Sequence, residues 1–190
     1  MVRKHKSGRR NPRHSQNRYN DEYERLKRII YKSRNGKIFE CVINESWKKN
    51  GLANIMVSRM QPNNRMVFGF YLVDVFCLGL KNTFCNADFT KSEYEQVKEK
   101  TYRESSPINC SRSSSHTIIY GGIEFAATLG FKPHQDFSLS RYILDEKGSF
   151  EKDESIEFGE NGKPLYIQGP YDDSNVVLDT LSKNIDKIEE

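Results

Sequence analysis

Apolar and polar residues alternate most regularly in the middle of the chain, where they predict β-strands. Lys37–Asn44 and Leu52–Met60 are rich in aliphatic and β-branched side chains, and Met66–Leu78 is a longer run of aromatic and β-branched residues. The sequence Gln-Pro-Asn-Asn at residues 61–64 is a turn signal between the last two segments. The pattern therefore predicts a three-stranded antiparallel meander.

Apolar residues at helical spacing predict helices on both sides of this meander. Thr90 and Glu93 have the spacing of a capping box, and Gly130 follows the most apolar helical segment, where glycine commonly ends a helix. Asp136 is in place to cap a short helix that begins at Phe137. We expect helices at about residues 21–35, 90–104, 114–129 and 137–144, and a last helix that begins near residues 172–174.

The sequence Asn161-Gly162 is a strong signal for a two-residue hairpin turn. It predicts that residues 155–158 and 164–168 form a short C-terminal hairpin. Strands and helices do not alternate along the chain, which favours an α+β fold over a doubly wound parallel sheet. We expect an antiparallel sheet, made of the meander and the hairpin, packed against four to five helices in a single domain of residues 21–190.

Positive charge is concentrated at the N-terminus. Residues 1–18 contain no acidic residue and seven basic ones, namely Arg3, Lys4, Lys6, Arg9, Arg10, Arg13 and Arg18. The first predicted helix adds Arg25 and Arg28, whereas residues 145–190 hold 13 acidic and 5 basic side chains. Because residues 1–20 contain almost no apolar side chains, we expect them to form a disordered basic arm.

This charge distribution indicates a polyanionic partner. A cationic segment neutralises phosphates without reading a base sequence. Our leading hypothesis is therefore a nucleic-acid-binding protein that contacts phosphates through the basic arm and the first helix. We expect RNA in preference to DNA, or a ribonucleoprotein, as the partner. The same charges leave open the alternative that the arm folds back onto the acidic end of the chain.

The cysteine spacing and the absence of known motifs limit the compartments, cofactors and metal sites that we expect. No two of the four cysteines have a CxxC spacing, so we expect free thiols in the reducing cytoplasm. No apolar run approaches the roughly 20 residues that span a bilayer, and we expect no membrane contact. The sequence has no phosphate-binding loop of the Walker type and no HExxH motif, so no cofactor and no metal site is expected.

Side chains that can transfer protons occur close together in the second half of the chain. His116, Tyr120 and Glu124 follow at intervals of four residues and therefore share one face of the predicted helix. His134 and Asp136 lie in the loop that follows this helix. Such residues support acid–base or metal-assisted chemistry if they converge. The solvated face of an amphipathic helix and a capping aspartate explain the same pattern without any catalysis.

Two positions depart from local rules. Asp74 alternates with aromatic residues along a predicted strand, where a carboxylate needs a hydrogen-bonding partner or an ion pair. Gly121 and Gly122 lie inside a predicted helix, where each costs about 1 kcal/mol relative to alanine. Both departures are compatible with a functional site or with a structural requirement, such as a salt bridge of Asp74 to Lys81.

The sequence does not decide between an enzyme and a binding protein. One alternative to nucleic-acid binding is a small metal- or acid/base-dependent hydrolase or nuclease that uses Asp74, Glu124, His134 and Asp136, with His116 nearby. A second alternative is a protein-interaction module that binds its partner through the acidic C-terminal helix.

Overall fold

The fold is α+β, as the order of the predicted elements indicates. A computed structural model describes the backbone of residues 12–184 and the side chains of residues 20–184. It contains one open antiparallel sheet of five strands with helices on both faces. The α+β class is therefore confirmed.

All neighbouring strands of the sheet are antiparallel, and their spatial order is β4-β3-β2-β1-β5. Two strands have the predicted bounds, and the third predicted strand ends earlier and is followed by a strand that the pattern did not predict. The strands are β1 (Lys37–Asn44), β2 (Leu52–Met60), β3 (Met66–Asp74), β4 (Gly79–Phe89) and β5 (Pro107–Asn109).

The described part of the chain has six α-helices. The capping box of Thr90 and Glu93 is confirmed, with hydrogen bonds in both directions. Within the described residues, no helix is long and apolar enough to cross a membrane. The helices are α1 (Pro12–Tyr31), α2 (Trp47–Asn50), α3 (Lys91–Thr101), α4 (Arg112–Thr128), α5 (Phe137–Ser140) and α6 (Ser174–Asn184).

Alternating strand residues build a core on each face of the sheet. On one face, residues such as Ile55 and Val73 pack with Ile118 of α4, and α1 and α5 complete this layer. On the other face, Phe68 packs with Tyr94 of α3. Because strand side chains alternate between the faces, both cores come from the same short stretch of sequence.

The glycines inside α4 are explained by close packing. A Cβ atom on Gly122 would lie 2.6 Å from Cγ1 of Val73, and one on Gly121 would overlap the ring of Phe158. Only a residue without a side chain lets the helix approach the sheet and the later chain this closely. The two glycines therefore serve packing.

The predicted C-terminal hairpin is wrong, although its turn is present. Asn161 and Gly162 both have positive φ angles, and Glu160 forms an isolated bridge with Lys163. The flanking residues do not pair with each other, because Gly159 donates to the carbonyl of Val75 and Leu165 to that of Phe76. The backbone of the β3–β4 connection therefore takes the hydrogen bonds that a hairpin would use.

Two element boundaries and two further strands also differ from the prediction. Strand β3 ends at Asp74 instead of Leu78, and β4 and β5 form where no strand was predicted. Strand β4 contains five polar residues among its eleven, and β5 has only three residues, so neither has a clear sequence signal. The first helix begins at Pro12 instead of Asp21, so residues 12–20 of the predicted arm are helical. Residues 1–11 lie outside the described residues.

A buried arginine joins the sheet to the segment that follows α5. Arg59 on β2 is only 3% exposed. Its guanidinium donates to the carbonyls of Ile143 (2.6 Å) and Gly36 (2.9 Å) and to Oδ1 of Asp145 (2.6 Å). Asp145 also accepts a bond from Arg112 of α4. We call this group of contacts the Arg59–Asp145 junction, and it fixes residues 143–145 against the sheet.

Replacing Asp145 tests how much this junction stabilises the fold. We expect Asp145→Ala to lower the free energy of unfolding by about 3 kcal/mol, because it leaves a buried guanidinium without its counter-charge. Urea unfolding at neutral pH measures the effect. The control is Asp179→Ala, which breaks an exposed pair with Lys183 and should stay within about 0.5 kcal/mol of wild type. Equal effects of the two substitutions would contradict a stabilising junction.

Candidate nucleic-acid interface

The described residues contain only part of the predicted cationic surface. Arg3, Lys4, Lys6, Arg9 and Arg10 lie outside the described residues, and the backbone of residues 13 and 18 belongs to α1. Arg25 is half exposed, but it forms ion pairs with Glu22 and Asp88. Arg28 is exposed, and its Nε donates to the carbonyl of Glu24. Arg28 therefore keeps more of its charge free than Arg25 does.

The C-terminal end of α1 meets the residues after α5 in a cluster of aromatic and cationic side chains. The rings of Tyr31 and Tyr142 pack edge to face, with their centroids 4.7 Å apart. The guanidinium carbons of Arg34 and Arg141 lie 5.5 Å and 5.2 Å from the centroid of the Tyr142 ring. Cations at this distance are attracted by the face of an aromatic ring. We call Tyr31, Arg34, Arg141 and Tyr142 the Tyr31–Tyr142 patch.

The two arginines of the patch differ in how many hydrogen-bond partners their guanidinium groups have. Arg34 donates to the carbonyls of Leu144 (2.7 Å) and Arg141 (3.2 Å) and to Oε1 of Glu146 (2.9 Å). Among the described residues, the guanidinium of Arg141 hydrogen-bonds to the hydroxyl of Tyr142 at 3.4 Å and to nothing else. Arg141 is also exposed, so most of its donors face solvent. This arrangement makes Arg141 the donor of the patch that is available to an anion.

His116 is a structural histidine in this fold. It is fully buried, its Nδ1 lies 2.8 Å from the carbonyl of Arg112, and its Nε2 accepts a bond from the backbone N–H of Asp145 (2.9 Å). These partners require a neutral ring with the proton on Nδ1. Burial lowers the pKa of His116 to about 4. With both nitrogens engaged, the ring has no free atom for proton transfer.

Glu124 is the only one of the five acid–base candidates that lines the groove beside α4 in the described residues. This groove has a volume of about 640 Å³ and lies between α4 and residues 147–158. Aromatic side chains such as Phe125 and Phe158 line it together with charged and small residues. The carboxylate of Glu124 is exposed and pairs with Lys147 at 2.6 Å. Nothing in this geometry distinguishes Glu124 from an ordinary surface glutamate.

Asp74 closes the turn between β3 and β4. Its Oδ1 accepts bonds from the backbone N–H groups of Phe76 (2.9 Å) and Cys77 (3.0 Å). Burial raises the pKa of Asp74, and these N–H groups partly offset the effect. The expected salt bridge to Lys81 is absent from the described residues, because Lys81 pairs with Asp172. Asp74 breaks the alternation because the strand ends there.

His134 and Asp136 are neighbours on the surface. Nδ1 of His134 accepts a bond from the backbone N–H of Asp136 at 3.3 Å and lies 3.9 Å from its carboxylate. Asp136 occupies the predicted N-cap position of α5, but its side chain forms no capping hydrogen bond. Asp136 has helical backbone angles, whereas a capping residue is typically extended so that its side chain can reach the helix N–H groups.

The structure therefore does not assemble the candidates into one reacting centre. Of the five residues, hydrogen bonds and ion pairs of the described residues join only His134 to Asp136. Within the part of the chain that the structure describes, no group of three or more histidine, cysteine, aspartate or glutamate residues is placed to hold a metal ion. The hydrolase alternative gains no support from this geometry.

Sequence reasoning did not identify the Tyr31–Tyr142 patch. Arg141 and Tyr142 are separated from Tyr31 by more than 100 positions. The one usable signal is the exposed tyrosine at the end of a basic helix. Its partner becomes visible only when α5 packs against α1.

The pH dependence of stability tests the assignment of His116. Its pKa in the fold lies below the usual value near 6.5, so the unfolded chain binds a proton that the folded chain excludes. Stability is therefore highest above about pH 7, and we expect the free energy of unfolding to fall by about 2 kcal/mol between about pH 7 and pH 5 from this group alone. Urea unfolding at both values measures the loss.

His134→Gln is the matched control, because it removes a half-buried histidine outside the core and keeps His116, so the loss that we assign to His116 should persist. An NMR titration of the His116 ring protons in the wild-type protein gives an independent readout, because it needs no substitution. A midpoint near pH 6.5 for His116 would contradict the buried neutral assignment.

Comparison with known proteins gives no functional lead. No protein-family model matches the chain, no curated protein matches its sequence, and no solved structure matches its fold. The function must therefore be inferred from the chain's own residues.

Proposed function

We propose that this protein binds nucleic acid, with RNA or a ribonucleoprotein as the partner, through its basic N-terminal segment and α1. The observation that carries the proposal is the run of seven basic residues without any acidic residue in residues 1–18. Each cation that neutralises a phosphate releases condensed counterions, which supplies affinity that does not depend on base sequence. No turnover is required for this role.

The geometry of α1 supports the proposal. The helix extends from Pro12 to Tyr31, so the basic segment leads directly into a rigid element of the fold. Exposed Arg28 and Lys32 continue the positive charge towards the end of this helix. Arg25 contributes less, because Asp88 and Glu22 neutralise it. A polyanion that contacts the N-terminal segment thus meets further cations along the same element.

The cysteines are consistent with the cytoplasmic location that belongs to this proposal. All four are free in the structure, and burial raises the pKa of each thiol. Protonated, free thiols are typical of proteins in a reducing compartment.

The salt dependence of binding tests the proposal most directly. We expect the full chain to bind a fluorescent RNA oligonucleotide with an affinity that falls steeply as salt rises. A variant with serine at the five basic positions of residues 1–11 should have a log–log slope shallower by about 3 to 4, because about five phosphate contacts are lost. Fluorescence anisotropy across a salt series measures both slopes.

The control variant removes the same charge from elsewhere on the surface. Five exposed lysines are replaced by serine, namely Lys48, Lys49, Lys152, Lys163 and Lys183. We expect this variant to keep a slope within about one unit of wild type, since its lysines lie outside the proposed contact surface. Equal losses in the two variants would show that net charge alone causes binding, and no binding by wild type would refute the proposal.

The protein-interaction alternative has one observation in its favour. Four apolar side chains around the start of α6 are more than half exposed, namely Ile167, Tyr171, Val176 and Leu178. Large exposed apolar side chains on one segment favour a protein contact surface. Sedimentation of wild type and of Val176→Ser/Leu178→Ser tests the simplest case. A wild-type dimer that the double variant makes monomeric would support it, and a wild-type monomer would count against self-association.

A further inference from the structure

We propose that the Tyr31–Tyr142 patch is a base-stacking subsite, and that the ligand of this protein is therefore single-stranded nucleic acid. This inference rests on the proposed function and names the form of nucleic acid that it selects. In a duplex the bases are stacked on one another and their faces are hidden, whereas a single strand presents each base to an aromatic side chain.

The exposed ring of Tyr31 is the stacking element. It is 47% exposed, although its edge-to-face contact with Tyr142 holds it in place. The backbone of Tyr142 is anchored, because its carbonyl accepts a hydrogen bond from the hydroxyl of Ser33 at 2.5 Å. A ring that is both exposed and held rigid offers a stacking surface at a low cost in conformational entropy.

The charges around Tyr31 fit a sugar–phosphate backbone. Arg141 presents free donors next to the tyrosine pair, and Lys32 follows Tyr31 directly and is exposed. Two acidic side chains line the groove beside Arg141 and Tyr142, namely Glu146, which pairs with Arg34, and Glu124, which pairs with Lys147. Because each carboxylate is already neutralised by a cation, Arg141 and Lys32 remain as the surplus positive charge.

The position of the patch links it to the basic N-terminal segment. Tyr31 is the last residue of α1, and residues 1–18 lead into the first turns of the same helix. A helix of 20 residues is about 30 Å long, the length of roughly five or more nucleotides of an extended strand. One strand can thus contact the N-terminal cations and reach Tyr31.

Phe84 is another exposed aromatic residue, and it serves as a comparison for the Tyr31–Tyr142 patch. Phe84 on β4 is 42% exposed and stacks on Phe70, with the ring centroids 5.2 Å apart. Among the described residues, no cation lies over either of these phenylalanine rings. Phe84 therefore matches Tyr31 in exposure but has no cation over its partner ring, and it provides the control.

The test compares single-stranded RNA with a duplex of the same sequence, using the full chain and fluorescence anisotropy at fixed salt. Wild type should bind the single strand more tightly than the duplex. Tyr31→Ala should weaken single-strand binding at least about fivefold and change duplex binding less than about twofold. Tyr31→Phe keeps the ring and should retain binding, and Phe84→Ala should bind as wild type does. Urea unfolding confirms that each variant is folded.

Each other outcome overturns a defined part of the proposal. If wild type binds both forms equally and Tyr31→Ala has no effect, the subsite is refuted while nucleic-acid binding stands. If Tyr31→Ala weakens both forms equally, or if Phe84→Ala has the same effect, stacking at Tyr31 is refuted. If wild type binds neither form, the proposed function fails together with the subsite. Single-stranded DNA of the same sequence shows whether the preference includes the 2′-hydroxyl.

Discussion

The rest of the structure depends on the buried hydrogen bonds and ion pair of the Arg59 guanidinium. A buried charge is tolerated only when its donors and its counter-charge are supplied by the fold, and here two carbonyls and Asp145 supply them. These partners belong to the chain before β1 and to the segment after α5. One side chain on β2 therefore holds together elements that are more than 100 residues apart in sequence.

The Arg59–Asp145 junction also determines which polar residues remain available for function. His116 donates to α4 and accepts from the backbone of Asp145, so it completes the same buried network. In the described residues, no buried side-chain nitrogen or oxygen lacks a hydrogen-bond partner. His116, one of the candidates for catalysis, is thus accounted for by structure, and free donors are found at the surface on Arg141.

The same junction positions the proposed interface. Fixing residues 143–145 against the sheet also places Tyr142 and Arg141 beside the end of α1. In the proposed function, long-range attraction by the N-terminal cations and short-range stacking on Tyr31 would act on one ligand from one helix. The first would supply rate and affinity that depend on salt, and the second would supply selectivity for the form of the nucleic acid.

The sequence by itself determined the α+β class, the bounds of β1 and β2, the capping box of α3 and the charge asymmetry, because each depends on neighbouring residues in the chain. Strands β4 and β5 could not be predicted from the sequence, because they form by pairing with β3 and β1 and their own residue pattern does not indicate a strand. Only the tertiary structure decided the roles of Asp74 and His116 and the meeting of Tyr31 with Tyr142. Contacts between distant segments depend on how helices pack on the sheet. The local spacing of residue types along the sequence does not determine this packing.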